Sequence, residues 1–145
     1  MRTKLLNDDA ERTFAVILET GDEAVSSLET FARENAITAA RFTAIGAFRR
    51  ATLGYFDWQS KEYERIELDE QAEVLSLVGD IALQDGRAKL HAHAVLGRRD
   101  GGTRGGHLLE AIVRPTLEVL LTDSPAYLKR EFDPEAGLPL IKLRG

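Results

Sequence analysis

Apolar residues along this chain fall into short runs bounded by turn residues, and one segment has sustained helical spacing. Thr13-Phe14-Ala15-Val16-Ile17-Leu18-Glu19 is compact, apolar and partly β-branched, and it stops at Gly21-Asp22, which predicts a buried strand closed by a turn. Asp22 is a suitable N-cap for a helix beginning at the next residue. Val25, Leu28, Phe31 and Ala32 recur at helical spacing, with Glu23, Ser26, Glu29 and Arg33 on the other face, so the spacing predicts a helix over residues 23–35. From Ile37 onward the runs are strand-like, at 40–45, 51–56, 63–68, 74–83, 89–96, 107–113 and 117–122. Their links are short and carry turn chemistry, as in Asp85-Gly86 and Asp100-Gly101, which favours antiparallel hairpins over βαβ crossovers. The expected fold class is α+β: a mostly antiparallel β-sheet packed by one main helix, in a single compact domain over residues 1–145. Pro125, Pro134 and Pro139 limit any helix in the tail to a turn or two, while Leu138-Pro139-Leu140-Ile141-Lys142-Leu143 is apolar enough to dock.

Composition narrows the function. A chain of 145 residues can bury a core without disulfides or a structural metal. The absence of cysteine excludes disulfides, thiolate nucleophiles, iron–sulfur clusters and sulfur-ligated zinc. A formal charge of -5 and a pI near 5.3 argue against autonomous DNA binding, which draws on a basic excess, although Arg98, Arg99 and Arg104 form a local basic group. Acidic residues Asp8 and Asp9 interrupt the start before an apolar signal region forms, and no later apolar run approaches membrane-spanning length. A cytoplasmic location away from the membrane is therefore expected. No serine stands in a Gly-x-Ser-x-Gly elbow, and Gly101–Gly106 lacks the Lys-Ser/Thr ending of a phosphate-binding loop.

The candidate chemistry lies in the histidines, all of which fall between residues 91 and 107. On a strand His91 and His93 project from one face with Cβ atoms about 6 to 7 Å apart, close enough for two imidazoles to share a metal ion. Whether His107 joins them depends on parity across the hairpin. If Gly97 pairs with Thr103, Arg98–Gly102 is a five-residue loop, His93 faces His107, and all three converge; a two-residue Asp100-Gly101 turn puts His107 on the opposite face. Convergence would make a three-histidine set suited to Zn²⁺ above Ni²⁺, Co²⁺ or Fe²⁺, with one position open. The competing reading is strand histidines that hydrogen-bond backbone groups. Glu110 and Glu118 are candidates to orient a metal-bound water, against the plainer role of exposed sheet carboxylates. Tyr55, Phe56, Trp58 and Tyr63 form an aromatic group whose simplest role is core packing, with a cleft or subunit contact as the alternative.

Several segments together resemble the PPC domain family, also called DUF296. They are Glu73-Val74-Leu75-Ser76-Leu77-Val78-Gly79-Asp80-Ile81, Leu90-His91-Ala92-His93-Ala94-Val95-Leu96, Gly105-Gly106-His107-Leu108 and Thr116-Leu117-Glu118-Val119, with Gly21-Asp22-Glu23 and Phe42-Thr43-Ala44-Ile45-Gly46-Ala47 upstream. The resemblance implies an α+β domain with an antiparallel sheet, assembled as a homotrimer. It also implies a stand-alone prokaryotic form, since the AT-hooks added by plant relatives do not occur in this sequence. In those relatives DNA contact belongs to the hook and assembly to the PPC domain, so an assembly or regulatory module acting with a partner is the alternative to a metal-site function. The family's His-x-His and Gly-Gly-His elements fall on His91, His93 and His107, and some bacterial relatives hold a metal with such histidines near subunit boundaries. No settled reaction comes with the family, so whether the protein is an enzyme stays open.

Overall fold

The computed structural model describes residues 1–8, 11–124 and 128–142. Pro125 and Leu143, which belong to the proline-rich tail, lie outside the described residues. In chain order come β1 (Arg2–Asp8), β2 (Arg12–Glu19), α1 (Ala24–Glu34), β3 (Ala39–Asp57), β4 (Glu62–Leu68), β5 (Ala72–Gln84), β6 (Arg87–Gly97), β7 (Thr103–Asp123), β8 (Lys129–Asp133) and β9 (Leu138–Ile141). All strands join one sheet in the order β1-β2-β7-β3-β5-β8-β9, with β4 added to β3 and β6 bridging β5 and β7. Because β3 pairs with both β5 and β7, and β6 pairs with the same two, the sheet curls back on itself. Every pairing is antiparallel except the short parallel contact of β5 with β8.

The core fills the concave side of this sheet. Helix α1 packs on β6 and β7 and brings Ala24, Leu28, Phe31 and Ala32 into one core cluster with Val16, Leu18, Leu117 and Leu121, and Phe31 meets Phe14 edge to face at 5.2 Å. Each such large side chain contributes roughly 1.5–3 kcal/mol by leaving water, so the amphipathic stripe evident in the sequence is what fixes the helix to the sheet.

Three expectations are corrected. The helix N-cap is Glu23, not Asp22. Asp22 accepts the Glu19 N–H to close the turn, whereas Glu23 is extended, bridges to Ile112, and takes N–H bonds from Val25, Ser26 and Ala111. The runs 40–45 and 51–56 are one strand, as are 107–113 and 117–122. Pro115 does not end β7 because Phe48 faces Val113 and Gly46 faces Leu117, which places the proline in a bulge where its missing N–H costs no ladder bond. Gly46 permits this approach, since a Cβ there would collide with the Thr116 carbonyl oxygen. The N-terminus adds β1, and the tail, where the prolines limited any helix to a turn or two, forms the β8–β9 hairpin.

Candidate metal centre

The hairpin that carries the histidines has the five-residue loop. Gly97 pairs with Thr103 and His93 with His107, with Arg98 N–H bonded to the Gly102 carbonyl at 2.8 Å and Gly101 at φ 80°. On β6, Ala92, Ala94 and Leu96 turn inward to the core, so His91 and His93 turn outward together. The three rings converge, with centroids 5.1 Å apart for His91 and His107, 5.2 Å for His91 and His93, and 5.6 Å for His93 and His107.

One nitrogen from each ring lies within 4.8 Å of the others. The Nε2 atoms of His91 and His93 are 3.3 Å apart, which matches the roughly 3.3 Å edge expected of a tetrahedral ion with bonds near 2.0–2.1 Å. His107 Nδ1 is buried and has no hydrogen-bond partner among the described residues. An unsatisfied buried nitrogen costs about 1–3 kcal/mol, and a shared cation would relieve the crowding of three imidazoles. The donor set and its spacing thus fit a divalent metal.

Burial favours the neutral, lone-pair-donating form of His91 and His107. Burial pushes the His107 pKa down from 6.5 to about 4, with the neighbouring His91, His93 and Arg130 acting in the same direction. Burial also lowers His91; Asp80 opposes that shift, while Arg130 and His93 add to it.

The surrounding shell does not use the two glutamates that the sequence suggested. Glu110 pairs with Arg50 at 3.3 Å and Glu118 is exposed on the later half of β7. The carboxylate beside the site is Asp80, which faces His91 across the β5–β6 ladder with Oδ2 3.9 Å from His91 Nδ1. Asp80 is itself held by the buried Arg130 guanidinium, which also donates to the Lys89 carbonyl at 3.2 Å. On the other side Tyr63 lies against His107, ring centroids 4.8 Å apart, and burial raises its pKa. Gly54 makes room for it, since a Cβ there would come within 2.7 Å of Tyr63 Cδ1. Core packing therefore does not describe the whole aromatic group. Tyr63 packs on the site and on Phe56, while Tyr55 and Trp58 are exposed and Trp58 carries Lys61 over its face.

A curled antiparallel sheet with one packing helix and a His-x-His strand paired to a Gly-Gly-His strand defines a class of small domain. The model of the Plants and Prokaryotes Conserved (PCC) domain matches residues 6–125, and the chain belongs to that family. Among solved structures, a plant- and prokaryote-conserved protein from Pyrococcus horikoshii is 29% identical, with a TM-score of 0.86 over 99% of this chain and 96% of that one. A protein from Archaeoglobus fulgidus described as metal-containing is 37% identical, with a TM-score of 0.86 over 97% and 99%. One from Ralstonia eutropha, named as a candidate DNA-binding protein, is 30% identical, with a TM-score of 0.85 over 90% and 91%. No curated protein sequence gives a significant match. No helix among the described residues is long and apolar enough to cross a membrane.

Proposed function

We propose that the chain is a cytoplasmic homotrimer in which His91, His93 and His107 hold one divalent cation, Zn²⁺ foremost. The observation that carries this is the convergence of three imidazoles, one nitrogen of each within 4.8 Å of the others and two of them 3.3 Å apart, beside the unpartnered Nδ1 of His107. The metal-containing relative from Archaeoglobus fulgidus supports it. Such an ion supplies Lewis acidity and lowers the pKa of bound water. Asp80 orients the His91 ring, and Tyr63 shields His107 from solvent. The trimer has its support in the outer face around His93. There Ile45, Val78, Val95 and Leu120 are between 42% and 60% exposed, an apolar group of the kind that marks association surfaces. Mass spectrometry of tag-free protein tests both parts, reading metal content and assembly mass together beside a His93→Ala variant. Near-stoichiometric metal in a trimer, lost from the variant, is the expected result; metal-free protein after metal addition overturns the site.

A second reading, a non-catalytic assembly or regulatory module that meets DNA through a partner, draws on the description of the Ralstonia eutropha relative. Here the basic group is partly neutralised, because Arg98 pairs with Glu70 at 2.6 Å and with Asp100 at 3.8 Å. Direct phosphate contact predicts DNA retention that falls steeply with salt, so absence of retention at low salt leaves only the partner-mediated form.

A further inference from the structure

Beside the histidines lies a cleft of about 230 Å³ whose walls have a divided character. His91, His107, Tyr63, Arg130, Gln84 and Lys89 supply its polar lining; Leu90 and the β9 residues Leu138, Pro139 and Leu140 supply its apolar lining. Three nitrogen donors leave a position open on a four-coordinate ion. The cleft is where a group reaching that position between His91 and His107 would lie.

Charge and size then select the ligand. Asp80 is already matched by Arg130, and imidazole ligands bring no negative charge, so an ion at the site leaves its double positive charge uncompensated by protein groups. A ligand that brings one negative oxygen supplies the compensation. Ordinary small-molecule sites run to about 300–1,000 Å³, so this cleft suits a ligand of few atoms, with an apolar end to meet Leu138 and Leu140.

We propose that this cleft binds a short-chain aliphatic carboxylic acid, its carboxylate at the open metal position and its hydrocarbon chain against Leu90 and the β9 strand. The proposal rests on the three-histidine metal site. It assigns a role to the tail hairpin, which otherwise only extends the sheet edge.

Co²⁺-loaded protein provides the test, because its visible absorption reports a change of ligand directly. Acetate, propionate and butyrate are titrated in turn, with bound cobalt measured on the same samples. Affinity should rise about three- to fourfold with each added methylene, the gain expected from burying it against an apolar wall. In L140W, where Leu140 is 40% exposed on an outer strand and an indole would fill the cleft, the length dependence should vanish while cobalt stays bound. Cobalt-loaded wild-type protein whose spectrum ignores the acids, or responds to all three alike, overturns the cleft proposal and leaves the metal site standing. Failure to take up cobalt overturns the metal reading, and this proposal with it.

Discussion

His93 offers the cleanest perturbation of the proposed centre, because it is exposed and meets neither Asp80 nor Tyr63, which lie beside His91 and His107. Its ring makes no contact with the core, so His93→Ala should change the stability of metal-free protein by no more than about 0.5 kcal/mol. The metal-bound state is a different matter. A ligand that binds only the folded chain stabilises it by roughly 4 kcal/mol when present at a thousand times its dissociation constant. For a domain of this size each kcal/mol moves the melting temperature by about 3–4 °C, so saturating Zn²⁺ should raise it by about 10–15 °C. Removing one of three donors leaves two nitrogens on rings 5.1 Å apart at their centres, and that gain should largely disappear in the variant. Calorimetry at one fixed protein concentration, with chelator and then with excess Zn²⁺, reads all four states. A wild-type melting temperature indifferent to metal refutes the site. A variant that gains as much as wild type shows that the metal acts somewhere else.

Asp80→Asn should weaken metal binding roughly tenfold by removing the charge that orients His91, and should also destabilise the fold by stranding the buried Arg130. The double change Asp80→Asn with Arg130→Met should recover stability but not affinity, as competition with a chromophoric chelator would show; recovery of both would mean Asp80 acts only through packing. Because His107 has a folded pKa of about 4 against an ordinary 6.5, the unfolded chain binds the extra proton between those values. Metal-free stability is therefore fully present above about pH 6.5 and declines as pH falls towards 4, a decline that denaturant melts should find shallower in His107→Gln; equal slopes would count against the buried neutral imidazole. Gly79→Ala places a Cβ 2.7 Å from Phe42 Cζ and against the His91 carbonyl, and should cost about 1–3 kcal/mol while loosening metal through displacement of β6. A variant with wild-type stability and affinity would show that β5 and β6 have slack at this point.

Local pattern carried the parts of this molecule that depend on neighbours in sequence. The α1 stripe of Leu28, Phe31 and Ala32 is visible because helical spacing is a property of one segment, and the Asp85-Gly86 turn because positive φ at both residues restricts what can stand there. The cap at Glu23 was hidden because its carboxylate also serves Ala111, a partner 88 residues away. The two long strands were hidden for the same reason: Pro115 looks like a terminator until Gly46 is known to lie against its neighbours Thr116 and Leu117. The site divides along this line as well. Once the five-residue loop is chosen over the two-residue turn, His93 must face His107, so the three ligands follow from parity alone. Asp80 was within reach of the same counting, since Gln84 opposite Arg87 across a two-residue turn puts Asp80 opposite His91. Glu110 and Glu118 drew attention by their nearness to His107 in sequence, whereas the ladder, not the sequence interval, decides which carboxylate a strand histidine meets. Arg130 and Tyr63 lay beyond any such count. Arg130 arrives through the parallel contact of β8 with β5, and Tyr63 crosses the notch left by Gly54. The residues that donate to the proposed metal therefore sit on a single hairpin, while those that fix its surroundings come from distant strands that the curled sheet brings alongside it.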